Sequence, residues 1–183
     1  MMDTLPCFTQ DQIFTVGDAA AMAEELVSNS YKMSASQWLW NRYDVMTLSD
    51  LEPGEIVEGP FAQIVRYRGQ KSETSLGSSS YDFYKICLMD HTILKALESG
   101  KELRLFPFAL YILCHELIHI VRFSKFLQSF QASHEEKMAE ENRVHEKTRE
   151  IFKSVRVPGM EALLSFYKAW ENPLDSTTNA PPL

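Results

Sequence analysis

The sequence predicts an α+β fold, mostly helical, with a small antiparallel sheet packed on one apolar helix. Three observations lead there. Apolar residues recur at helical spacing in several segments set apart by start and stop signals. Two segments rich in aromatic and β-branched residues, Phe61 to Arg68 and Tyr81 to Leu88, flank a Gly- and Ser-rich loop, as an antiparallel pair does. The run from Leu105 to Val121 carries no charged side chain except Glu116, which sits between His115 and His119. A helix so apolar is a core element.

Composition bounds the rest. A chain of 183 residues with 45% hydrophobic content is long enough for one domain with a proper core, assigned to residues 1–172, with residues 173–183 as a Pro-containing disordered tail. The net charge of −7 speaks against nucleic-acid and anionic-membrane partners, which favour basic surfaces. Cys7, Cys87 and Cys114 are odd in number and widely spaced, which suits a reducing cytoplasm rather than a disulfide framework. The first residues lack a basic region followed by an apolar run, so no export leader is expected. The Leu105 to Val121 stretch contains two histidines and a glutamate, which argues against a membrane span.

In chain order, residues 1–14 read as an irregular arm. Thr15 and Asp18 form a start signal for a helix running to Tyr31. Ser34 and Gln37 open a second helix, predicted to carry Trp38, Leu39, Tyr43, Val45 and Met46 on its apolar face. After the two strands, Asp90 is expected to cap a short helix closed by Gly100, with His91 solvated in its first turn. Ser133 and Glu136 form a further capping box before a long charged helix reaching about Val155. Pro158 and Gly159 break that helix, and Met160 to Trp170 is the last.

The chemistry sits on the apolar helix. Side chains four apart share a helical face, so His115 and His119 can both offer a ring nitrogen to one metal ion. Glu116 lies about 100° around the helix from His115, placed to reach a water at the metal without being a ligand. Two histidines and a glutamate are costly to bury unless something uses them. A catalytic zinc needs a third protein ligand and leaves its fourth position to water. The helix after Ser133 offers two candidates. Met138, Glu141, His145, Thr148, Phe152 and Val155 follow steps of three and four, forming one expected buried stripe with Glu141 and His145 at its middle. One would bind zinc and the other would orient a ligand; spacing alone leaves open which. Glu140 and its charged neighbours are assigned to solvated faces.

His115-Glu116-x-x-His119, followed on a later helix by Glu141, resembles the zincin metallopeptidases, and among them the gluzincins. The resemblance covers the two helices, about 40 residues. It implies a zincin-like fold, Zn²⁺ as cofactor, a peptide or protein substrate, Glu141 as third ligand and His145 in the place of the family's supporting acid. His145 departs from that family pattern. The resemblance further implies Glu116 as general base for the water that attacks a peptide carbonyl. Arg122, Tyr111 and Tyr167 are candidates for stabilising the oxyanion. The Tyr81 to Leu88 strand is the expected edge for aligning an extended substrate. The competing expectation is a non-catalytic zinc-binding interaction module on a degenerate zincin fold.

Overall fold

The elements run α1 (Gln10–Tyr31), α2 (Ala35–Trp38), β1 (Arg42–Met46), β2 (Ala62–Gln70), β3 (Ser80–Leu88), α3 (Asp90–Ser99), α4 (Leu105–Ser124), α5 (His134–Phe152) and α6 (Met160–Trp170). This is a computed structural model, and the residues it describes are 5–39, 41–70, 80–125 and 131–170. Two single 3-10 turns, Leu48–Asp50 and Pro53–Glu55, join β1 to β2. The α+β expectation holds. The predicted interstrand loop and C-terminal tail fall almost wholly outside the described residues.

The first correction concerns α1. The reciprocal capping pair is Thr9 with Gln12, at 2.8 and 3.3 Å, so the helix begins at Gln10 and absorbs part of the predicted arm. Thr15 sits inside it, its hydroxyl donating to the Asp11 carbonyl. The buried positions of α1 are Val16, Ala19, Ala23 and Val27, a stripe of small side chains that lets the helix approach α4 closely.

The second correction is the sheet. It has three strands in the order β1-β3-β2 and is mixed: β2 pairs antiparallel with β3, and β1 pairs parallel with it. The helix expected over Tyr43 to Met46 is strand β1, with α2 ending at Trp38. Tyr43 and Val45 alternate with exposed Arg42 and Asp44, a period of two. Pairing from Arg42 opposite Phe83 to Met46 opposite Cys87 supplies the ladder that a short helix there would lack. Tyr43 also packs edge-on against Trp38 and hydrogen-bonds Glu24 of α1. Because β3 is flanked on both sides, it is the central strand and not the predicted substrate edge.

Around α3 the roles also change. Asp90 accepts hydrogen bonds from the backbone N–H groups of Phe8, at 2.8 Å, and Leu48, at 3.0 Å. It ties the N-terminal arm and a 3-10 turn to the start of α3. His91 is buried beneath Glu58, 3.8 Å away, and not solvated. Gly100 ends α3 with φ −103°, ordinary backbone, and a Cβ there would meet the Leu103 side chain, Cδ1 at 2.6 Å, which would have to shift.

Helix α4 is the centre of the core. Every side chain from Pro107 to Val121 is buried, beneath α1, α5, α6 and the sheet. By length and composition α4 is apolar enough to cross a bilayer, and 83% of its apolar window is buried inside the fold, as a core helix is. Phe61, Phe108, Tyr111, Phe152, Phe166 and Tyr167 form a continuous aromatic cluster around its N-terminal half. That cluster holds α6 and the end of α5 against α4. Burying rings of this size contributes most of the local packing free energy.

Candidate metal centre

The C-terminal half of α4 and the middle of α5 converge on four side chains. His115 Nε2 and His119 Nε2 are 3.1 Å apart, as positions four apart on one helix allow. From α5, the Glu141 carboxylate reaches both: Oε1 is 2.8 Å from His115 Nε2, and Oε2 is 3.2 Å from His119 Nε2. His145 Nε2 stands 3.7 Å from Glu141 Oε1, and the ligating atoms of His115, Glu141 and His145 lie within 4.8 Å of one another. The sequence-predicted metal residues are therefore brought together.

The donor set is of a kind that could hold a metal ion, and zinc spacing offers a comparison. Donors at about 2.0–2.1 Å from a tetrahedral metal stand roughly 3.3 Å from each other. The separations among His115, His119 and the two carboxylate oxygens of Glu141, 2.8–3.2 Å, all lie somewhat below that value. Two imidazoles with a carboxylate form a recognised catalytic zinc set. His145 is the outlier in distance, and its Nδ1 lies 3.4 Å from the Tyr111 hydroxyl. Tyr111 thus steers the ring so that Nε2 faces the cluster, as partners of metal-binding histidines do.

Electrostatics point the same way. Burial pushes the His115 imidazole down, against the pull of Glu141. Burial brings His145 down to about 3. Neutral imidazoles with free lone pairs are the form a metal takes. Burial also opposes the charge of Glu141, yet the hydrogen bonds and charges of His115 and then His119 hold its carboxyl well below the usual range. Burial pushes the Glu116 carboxyl up to about 7, with His119 working against the shift and Glu141 with it. A carboxyl poised there exchanges a proton readily near neutrality.

The cluster opens on one side. The His115 side chain is 1% exposed and that of Glu141 35%, so approach is past Glu141 and His119. The oxyanion candidates separate. Arg122 pairs with Glu140 and Tyr111 serves His145. The Tyr167 hydroxyl is buried without a hydrogen-bond partner among the described residues, and the ring stacks on Tyr111 with centroids 4.3 Å apart.

The α5 stripe needs rotation from its predicted position. Met138 is 49% exposed, whereas Glu140, Val144, His145, Thr148, Ile151 and Phe152 are buried. The buried face is centred one step around the helix, with Glu141 at its rim. Glu140, expected in solvent, is held by Arg122 of α4 and by Arg143 at 3.0 Å. The step from Glu140 to Val144 and on to Ile151 was a signal for this, masked by the surrounding charges. No protein-family model, curated protein or solved structure matches this chain.

Proposed function

We propose that the protein is a zinc-dependent peptidase in which His115, His119 and Glu141 hold the metal and Glu116 is the general base. One observation carries the reading: the Nε2 atoms of two histidines on one helix and the carboxylate of Glu141 on another lie 2.8–3.2 Å apart, close to the spacing of donors around a single tetrahedral ion. When bound, zinc would polarise the scissile carbonyl and make water acidic near neutral pH. Glu116 takes a proton from the attacking water and hands it to the leaving amine nitrogen as the C–N bond breaks. Tyr111 holds the His145 ring, and His145 supports Glu141. A zincin-like arrangement is part of the same reading, with α4 as the first motif helix and α5 as the second. β2, which has one strand neighbour among the described residues and packs on α4, takes the substrate-edge role intended for β3.

A second reading, a zinc-binding interaction module without hydrolysis, is favoured by the inward-facing Nε2 of His145. As a fourth protein ligand it would close the position that catalysis needs open. The test is metal analysis of protein purified without added zinc or chelator, then a peptide library with the parent and Glu116→Gln side by side. About one zinc per chain is expected, with cleavage reduced at least about 10²-fold in the variant while metal is retained. A preparation that contains no transition metal and takes none up overturns the proposal. Unchanged cleavage in the variant removes Glu116 from the mechanism, and zinc without cleavage in the parent selects the module.

A further inference from the structure

A second concave surface lies at the opposite end of α4 from the histidines. It is a cleft of about 910 Å³ between the approach to α4, the end of α5 and the start of α6. Two basic pairs stand on its rims: Lys101 and Arg104 precede α4, while Lys153 and Arg156 follow α5. Along α4, Arg104 and His115 are eleven residues apart, roughly 16 Å at the helical rise. The cleft is separate from the metal cluster.

The cations at this cleft stand close together without an ion-pair partner among the described residues. Elsewhere Arg66, Lys85, Arg122, Arg143 and Lys147 each pair with a carboxylate. None of the four rim cations does so among the described residues, although acidic residues outnumber basic ones by 25 to 18. Two of the four are held in place. The Arg156 guanidinium donates to the Lys153 carbonyl at 3.0 Å, which fixes its stem against the end of α5. The Arg104 stem crosses Gly159, where a Cβ would meet Arg104 Cδ at 3.1 Å, and the φ of +88° there favours glycine as well. The floor between the rims includes half-buried Val157 and Leu164.

We propose that this cleft binds an acidic peptide segment, its carboxylates on the two basic rims and an apolar side chain on the Val157 and Leu164 floor. Complementary charge is what four unpaired cations in a concave site select. The apolar floor favours a peptide over a bare anion. Glu102 and Glu161 also line the cleft, so a peptide with spaced carboxylates fits it better than a dense polyanion such as nucleic acid.

The test is fluorescence anisotropy on the full chain with a labelled peptide of alternating Glu and Leu residues. Saturable binding that weakens with added salt is expected. Lys153→Glu with Arg156→Glu, and separately Lys101→Glu with Arg104→Glu, should each weaken binding at least about tenfold. Lys95→Glu with Lys137→Glu, exposed cations outside the cleft, should leave it unchanged. Thermal melts check folding, and a reversal pair that does not fold is replaced by Lys153→Gln with Arg156→Gln, for which a smaller loss is expected. Zinc content should be the same in all variants, so this proposal and the peptidase reading fail separately. No saturable binding, or equal loss in the Lys95 and Lys137 control, overturns the proposal. So does equal or tighter binding of an oligothymidylate, of phosphatidylserine vesicles or of inorganic phosphate.

Discussion

Arg122 and Glu140 join α4 to α5 one step beyond the histidine and Glu141 cluster, with the Glu140 side chain only 4% exposed. Arg122 lies three residues after His119, and Glu140 immediately precedes Glu141. The pair therefore fixes the register in which Glu141 faces the two histidines. Burial alone would raise the Glu140 carboxyl, but hydrogen bonds from Arg122 and Arg143 hold it low.

Arg122→Ala should destabilise the fold by about 3 kcal/mol, since it leaves a buried carboxylate with only the largely exposed Arg143. It should also weaken zinc retention without touching a ligand. Replacing both partners by Leu should recover much of the stability, because no unpaired charge then remains buried. Urea unfolding of the three proteins tests this; equal loss in the single and double variants would refute the register role.

Glu141→Ala should cost more zinc affinity than His145→Ala. Glu141 touches both histidines, whereas His145 stands farther off and supports the carboxylate. Loss of a supporting partner typically lowers metal affinity about 10- to 100-fold, and loss of a ligand exceeds that. Competition with a chromophoric chelator ranks the two. The reverse ranking would make His145 the ligand and Glu141 its support.

Acid stability should depend on Glu55. Hydrogen bonds from Lys85, at 2.7 Å, and Tyr67, at 2.6 Å, with the Glu52 N–H, pull its carboxyl from 4.5 down to about 2. A folded value below the unfolded one means that the contribution is complete above about pH 4.5 and is lost as pH falls through about 2. Denaturation at pH 7 and pH 3 should show a smaller acid loss for Glu55→Gln than for the parent. An identical loss in both would remove this network from the acid response.

Much of this was written in the chain. The periodicity of α4 and α6 and the capping box at Ser133 and Glu136 locate those helices and α5. The His115 and His119 spacing gives half of the cluster directly. What sequence obscures is whatever depends on a distant partner. Tyr43 and Val45 fit either period until β3 is present to pair with them. Glu140 and Glu141 are adjacent carboxylates in a charged run, and only Arg122 on another helix distinguishes the buried one from the one at the rim. Asp90 looks like a cap because its true partners, Phe8 and Leu48, are far away in sequence.

The parallel pairing of β1 with β3 imposes an order of assembly. β2 and β3 are joined by nine residues and can zip together as they leave the ribosome. β1 is made well before them, yet it has no ladder until β3 exists, because Arg42 must find Phe83 across a long intervening loop. Closing such a loop costs entropy before any contact repays it, so β1 docks late and long-range topology slows the folding of the sheet. Pulse-labelled hydrogen exchange during refolding should find β2 and β3 amides protected ahead of those in β1, and simultaneous protection would contradict this order. Until then the β1 side of β3 is an open template, available to the wrong strand as well as the right one.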